Sequence, residues 1–249
     1  MTAALAPPRV VHCDDAIVVV DKPTGMPSVP ARTPLDPPCV AARLAPALGA
    51  VEAVHRLDRD TSGLLVLARS AEARAALGRA FENGLVGKRY VAVVRGTPPV
   101  DDGEMHLPLA PDPDRPPRQR VDPIHGRRAA TRWLLRARGA PGTPAEGFSL
   151  VALEPLTGRS HQLRVHMAWL GCPLLGDRLY GEHADPGRLA LHAAGIRFPH
   201  PADDREVEFT AAPCGEPWDW FPVRHLTPAW ERGPTGRPLA SSARSGPDP

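Results

Sequence analysis

No apolar run in this chain approaches the ~18 residues of a membrane span. Its hydrophobic residues come instead in short blocks, each closed within a few positions by Pro, Gly, Asp or Asn. Val10–Val20 reads as two short strands around an Asp14-Asp15 turn. A proline-bearing loop from Lys22 to Pro38 follows, then a short helix over Val40–Leu48. Gly63–Ala68 is a buried strand. Ser70 is placed to cap a helix over Ala71–Asn83, with Glu72 in its first turn and Gly84 closing it. Lys88–Arg95 is a strand ending at Gly96. Thr97–Gly126, rich in proline and charge, is expected to leave the core. Arg128–Arg138 and Phe148–Glu154 are strands separated by the loop Gly139–Gly147. After a Thr157-Gly158-Arg159 turn, Ser160 begins a helix to Leu170 that Gly171 and Pro173 end. Leu189–Phe198 and Arg205–Thr210 complete the strands. Strands broken by two or three helices, mostly with short connections, imply an α+β fold: a mixed, largely antiparallel sheet flanked by a few helices and loops. The expected organisation is one domain over residues 10–228, with an insert at about 97–127. A flexible N-terminus, 1–9, and a tail, 229–249, too poor in apolar residues to order itself, flank it.

Composition narrows the function little, but its distribution helps. A net charge of +2 is compatible with an RNA partner without calling for one. From Arg115 to Arg138, however, eight arginines stand against a single acid, Asp122. Such a cluster can bind phosphates by releasing counterions; its plain alternative is a solvated face. All but two of the 30 basic residues are arginine, and the two lysines are Lys22 and Lys88. A compact ammonium is not replaced by a rigid guanidinium fork where space is tight. The four cysteines are scattered with no CxxC pair, which argues against a zinc knuckle and a disulfide framework. Met1–Arg9 lacks the charged-then-apolar pattern of a signal peptide, so a soluble cytoplasmic protein without a membrane partner is expected.

The stretch that carries most chemical information is His55-Arg56-Leu57-Asp58-Arg59-Asp60-Thr61-Ser62-Gly63-Leu64. It sets a carboxylate at a loop-to-strand junction, where a loop carries the reactive group and a strand holds it still. Alone it would be a polar turn before a strand. Three further segments stand out: Asp21-Lys22-Pro23-Thr24-Gly25, Lys88-Arg89-Tyr90, and Thr157-Gly158-Arg159-Ser160-His161-Gln162-Leu163-Arg164. His161 and His166 are five apart, which does not put two imidazoles on one helical face, so no metal site is read from them and His55.

These segments, in this order and with Gly176-Asp177-Arg178-Leu179-Tyr180, resemble the signatures of the RluA-type pseudouridine synthases, spanning residues 21–181. The chain is similar to the short members that lack an S4 RNA-binding domain. The resemblance implies an isomerase that needs no cofactor and acts on a stem-loop of ribosomal RNA, tRNA or both. It makes Asp58 the catalytic residue, pairs it with Arg159, and lays Tyr90 against the target base. Arg56 would fill the space left by the flipped nucleotide. Lys88 and the insert arginines Arg115, Arg118 and Arg120 would hold RNA. Asp60 falls at a position the family leaves free. The expected partner is structured RNA rather than DNA, and the expected state a monomer.

The chemistry suits one carboxylate. Isomerising uridine breaks the C1′–N1 bond, turns the uracil and rejoins it through C5. Glycoside hydrolases use two acids because one acts on the leaving group or on water; a reaction that transfers nothing to water needs only one. Asp58 must be ionised, and a neighbouring guanidinium favours that form and fixes its orientation. Two routes are open to it, attack on the sugar or promotion of glycal formation. Two other classes remain open to this sequence: an RNA-binding ribosome-assembly factor without catalysis, and a metal-dependent or glycosidase-like hydrolase using Asp58 and Asp60.

Overall fold

The computed structural model describes residues 7–30, 37–181 and 187–226. The chain opens with the hairpin β1 (Arg9–Cys13) and β2 (Ile17–Lys22). Asp14 makes the turn by accepting hydrogen bonds from the backbone N–H groups of Ala16 and Ile17, both at 2.8 Å. Helix α1 (Val40–Leu48) and the two-residue β3 (Glu52–Ala53) lead to β4 (Ser62–Ala68), all seven residues of which are buried. Helix α2 (Ala71–Glu82) starts as expected, with the Ser70 hydroxyl accepting from Ala73 N–H at 3.1 Å. Strand β5 (Gly87–Arg95) precedes β6 (Asp102–His106), β7 (Leu109–Pro111) and β8 (Gln119–Val121). Then come β9 (Ala130–Arg138), β10 (Phe148–Pro155), α3 (Gln162–Trp169), β11 (Leu191–Pro199) and β12 (Glu206–Thr210).

The main sheet runs β1-β2-β4-β11-β5-β10-β9-β6, with β12 beside β11 and β3 beside β4. Among the described residues β4 and β11 pair in parallel and the other named strands antiparallel. The fold is the mixed α+β one expected. Strand β4 is apolar on both faces because both are covered: Leu64, Val66 and Ala68 pack with α2, and Leu65 and Leu67 with Val40 and Leu44 of α1. The central β5 does likewise, sending Ala92 and Val94 toward Leu163 and Met167 of α3 and Val91 and Val93 toward Trp218.

Three expectations need correction. The stretch 97–126 does not leave the core as a whole, because β6 joins the sheet as an edge strand on β9. Its sequence, Asp-Gly-Glu-Met-His, reads as loop. Only Met105 is buried, and Gly103 lies under the Trp133 ring, where a Cβ would come within 2.3 Å. The separate excursion is the small β7–β8 hairpin. Helix α3 begins at Gln162 rather than Ser160: His161 holds a left-handed φ of 54°, so the chain turns there instead of continuing a helix back to Ser160. Lastly, β1 includes Arg9, which the expected flexible N-terminus had claimed. The tail beyond residue 226 lies outside the described residues.

Candidate active site

The loop carrying Asp58 is built by the segment around Lys22. The Lys22 side chain is fully buried, and its ammonium donates to the carbonyls of Pro23 (3.0 Å), Met26 (2.8 Å) and Arg59 (3.0 Å), which uses all three of its protons. Burial pulls its pKa down to about 8, against the opposing pull of Asp60, Asp58 and Asp21. The Thr24 hydroxyl donates to Asp60 O at 2.7 Å, and Arg59 Nε to Gly25 O at 3.1 Å. The Ser28 hydroxyl both donates to Leu57 O and accepts from Leu57 N–H. Asp58 thus projects from a turn tied to a second loop at Leu57, Arg59 and Asp60. Past the turn, Gly63 has φ 108° and lies so close to β11 that a Cβ would sit 2.4 Å from Ala193 O. The glycine of the Thr-Ser-Gly run lets β4 dock there, and no other residue fits.

Across the cleft, α3 supplies the arginine for Asp58, and it is not the one expected. Arg159 donates from Nε to Arg128 O at 3.0 Å and lines the cleft. Arg164 faces Asp58, with Nη1 3.4 Å from Oδ2. Its other two nitrogens grip Asp177 in a fork, Nε to Oδ2 at 2.8 Å and Nη2 to Oδ1 at 2.7 Å. Burial alone would weaken Arg164's hold on its proton, but Asp177 and then Asp58 raise its pKa above the ordinary value. The Asp177 side chain is fully buried and the Asp58 side chain 24% exposed, so one acid serves as anchor and the other meets the solvent-filled cleft. The sequence marked Asp177 only as part of the Gly176–Tyr180 segment and gave it no role. The signal for Arg164 was present: an arginine among Leu163, Val165 and Met167 on a helix this apolar must be buried, and a buried guanidinium needs partners.

Gln162 and His166 are structural. The buried Gln162 carboxamide donates to Ala130 O and Thr131 Oγ1 and accepts from Thr157 Oγ1 and Arg159 N–H. His166 bridges Thr131 Oγ1 (2.8 Å) and Leu107 O (3.1 Å). At the other wall, His55 Nε2 accepts from Val66 N–H at 3.0 Å and its ring stacks on Phe81. Burial, then Lys88, lowers its pKa to about 3, so it is a neutral support. Tyr90 and Lys88, two apart on β5, both line the cleft, whose volume is about 310 Å³. That is near the small end of the range for ligand sites, roughly 300–1,000 Å³. Burial, then the field of Asp58, pushes the Tyr90 phenol above its ordinary pKa, so it stays protonated. Arg56 is exposed at the rim.

The insert arginines are less free than their count suggests. Arg115 pairs with the buried Asp112 at 3.0 Å and Arg120 with Asp122 at 3.3 Å. Arg132 and Arg138 meet Glu104 and Asp101. Three of these acids lie upstream of the window in which the arginines cluster. Arg118 instead sits over the Tyr180 ring, 5.2 Å from its centroid.

Fold and cleft together define an α+β enzyme core presenting one carboxylate, steered by one buried arginine, to a base-sized cleft with an aromatic wall. Residues 16–169 match the family described as RNA pseudouridylate synthase, and the chain belongs to it. It is 40% identical over 208 residues to the dual-specificity RNA pseudouridine synthase RluA of Pasteurella multocida, covering 82% of this chain and 93% of that protein. Against the protein of the same name from Escherichia coli K12 the identity is 40% over 205 residues, with 81% and 91% covered. Among solved structures, human RNA pseudouridylate synthase domain containing 1 superposes with a TM-score of 0.71 at 27% identity, over 85% of this chain and 86% of that one. The protein is an isomerase of RNA uridine, and the reading as a non-catalytic binding factor finds no support. Among the described residues no helix is long and apolar enough to cross a membrane.

Proposed function

We propose that this enzyme isomerises a uridine in a stem-loop of large-subunit ribosomal RNA, tRNA or both, with Asp58 as its catalytic carboxylate. The observation that carries the assignment is the pairing of Asp58 with the buried Arg164 in a cleft walled by Tyr90. Dual specificity in relatives 40% identical over nine-tenths of their length supports the two RNA classes. The target leaves its stack, at a cost of a few kcal/mol that is least in a loop. Arg56, at the rim, fills the space it leaves, and Tyr90 lies against the base. Asp58 acts at the sugar while the C1′–N1 bond breaks; the uracil turns, C5 bonds to C1′, the C5 proton passes to solvent and N1 takes one up, so that the product is an isomer.

Arg159 moves in this scheme from catalysis to binding. Burial and the nearby Arg127 both work against its charge, so two guanidinium groups stand close together at this side of the cleft. A phosphate is the natural counter-charge. Lys88, with Arg115, Arg118 and Arg120 of the insert, holds the stem-loop by shape and charge. The enzyme works as a monomer in the cytoplasm on this reading, without metal or cofactor.

The test is Asp58→Asn, which keeps size and hydrogen bonding but not charge. Pseudouridine formation should be abolished with RNA affinity within several-fold of wild type. Activity within tenfold of wild type would sink the assignment.

A further inference from the structure

Tyr180 sits where the insert hairpin meets Arg164. The Asp177 carboxylate that grips Arg164 also accepts the backbone N–H groups of Leu179 (2.9 Å) and Tyr180 (3.2 Å), so the tyrosine is fixed by the same anchor. Its hydroxyl accepts the Gln119 N–H of β8 at 2.7 Å and lies 2.6 Å from His161 Nδ1. Two guanidinium carbons, from Arg118 of the insert and Arg164 of α3, each lie 5.2 Å from its ring centroid. His161 Nε2 in turn faces Asp58 Oδ2 at 3.9 Å.

A tyrosine oxygen has one proton to give and two lone pairs, and the Gln119 N–H occupies one of those. When the hydroxyl gives its proton to His161 Nδ1, the ring's own N–H is on Nε2, aimed at Asp58. Arg164 Nη1, at 3.4 Å, and His161 Nε2, at 3.9 Å, converge on the same carboxylate oxygen. Both separations exceed a full hydrogen bond of about 3 Å, so a movement of about 1 Å in α3 or its neighbours would close them. His161 also holds a left-handed φ of 54°, a region in which histidine is enriched among non-glycine residues, and the Tyr180 ring stands edge-on to its imidazole.

We propose that Tyr180 and His161 form a relay that couples the seating of RNA on the β7–β8 hairpin to the setting of Asp58, with His161 a positioning residue. RNA that draws on Arg118 or shifts β8 moves the Tyr180 hydroxyl, which turns the imidazole toward the carboxylate. Binding at the insert therefore adjusts the reaction centre as well as affinity. The inference rests on the reading that the insert holds RNA.

A double-mutant cycle tests it. Wild type, Tyr180→Phe, Arg118→Ala and the double variant are compared on one RNA hairpin for dissociation constant, single-turnover rate at saturating RNA, and melting temperature. Tyr180→Phe keeps the ring and removes the hydroxyl. Its rate should fall about tenfold, within the roughly 5–150-fold typical of coupled sites, with affinity within about threefold. Arg118→Ala should lower both affinity and rate. In the Tyr180→Phe background it should lower affinity as before and leave the rate unchanged. A Tyr180→Phe rate within twofold of wild type, or rate losses that multiply in the double variant while affinity weakens, overturns the relay alone. An Arg118→Ala protein with wild-type affinity overturns the docking reading and the relay's input with it. Should Tyr180→Phe fail to fold, His161→Asn, whose side chain tolerates the left-handed backbone, cuts the same link and is read by the same criteria.

Discussion

Which arginine serves Asp58 can be decided by exchanging each for lysine. Arg164→Lys keeps a positive charge in α3 but cannot reproduce the fork on Asp177 and the third nitrogen on Asp58 together. Arg164 makes two short bonds to the buried Asp177, and a hydrogen bond to a charged group contributes about 1.5–3 kcal/mol. A lysine ammonium that stays with Asp177 loses its reach to Asp58; one that turns to Asp58 leaves a fully buried carboxylate short of a donor. Losing one such bond from the reacting state, about 2–3 kcal/mol, slows turnover roughly 30- to 160-fold. Arg159→Lys removes an Nε bond to a backbone carbonyl at the cleft wall and should slow turnover less than about threefold, its main effect being on RNA affinity. The assay is tritium release from RNA labelled at C5 of uridine, at saturating RNA, with melting temperatures alongside. A severe Arg159→Lys and a mild Arg164→Lys would refute the assignment and restore the pairing expected from sequence.

Three further outcomes are expected. Lys22→Met should destabilise the fold by about 2 kcal/mol or more in urea denaturation, because the buried Met26 carbonyl and the half-buried carbonyls of Pro23 and Arg59 lose their donor; near-wild-type stability would show that the loop around Asp58 does not depend on this ammonium. Gly63→Ala should fail to fold or melt far below wild type, since a Cβ there meets Ala193 backbone at 2.4 Å on a backbone with φ 108°; a soluble variant with an unchanged melting temperature would contradict the close β4–β11 docking. His55 has its folded pKa depressed to about 3 from the 6.5 it has unfolded, so its contribution is complete above pH 6.5 and is lost as pH falls through that window. At pH 5 the loss is about 2 kcal/mol, and His55→Gln should flatten this part of the stability–pH curve; an equally steep curve in the variant would remove His55 as its source.

How far the sequence could be read depended on whether a residue's partners were local. Strand β4, α2 with its Ser70 cap, and the β1–β2 hairpin were legible because their signals are adjacent: an apolar run, a capping residue, an Asp-Asp turn. Strand β6 was not, since its pairing with β9 lies in residues far along the chain and its own composition is polar and glycine-containing. The short turn that buries Trp218 against β5 and β11 has no period to betray it. At the site, Asp58 and Tyr90 could be named from motifs. The partner of Asp58 could not be, because Arg159 and Arg164 stand in the same run and differ only in which one the His161 turn sends inward. The charge of the Arg115–Arg138 stretch was overcounted for the same reason: Asp101, Glu104 and Asp112 pair with its arginines from outside that window.

The two lysines of this otherwise arginine-based chain show what such a turn demands. Lys22 must satisfy three carbonyls around a point, within a pocket that leaves its side chain no exposed surface. A planar guanidinium directs its donors outward in one plane and is larger, so it cannot occupy that position. Lys88 is buried enough to lower its pKa, and it lines the cleft opposite Gly158, where an added Cβ would stand 3.6 Å from its ammonium. One ammonium therefore fixes the loop from which Asp58 projects, and the other brings a compact charge beside Tyr90. Arginine serves where a flat fork meets a flat acid, as Arg164 meets Asp177. Lysine stands at two points of the site, one holding the loop from which Asp58 projects and one lining the cleft on the strand of Tyr90.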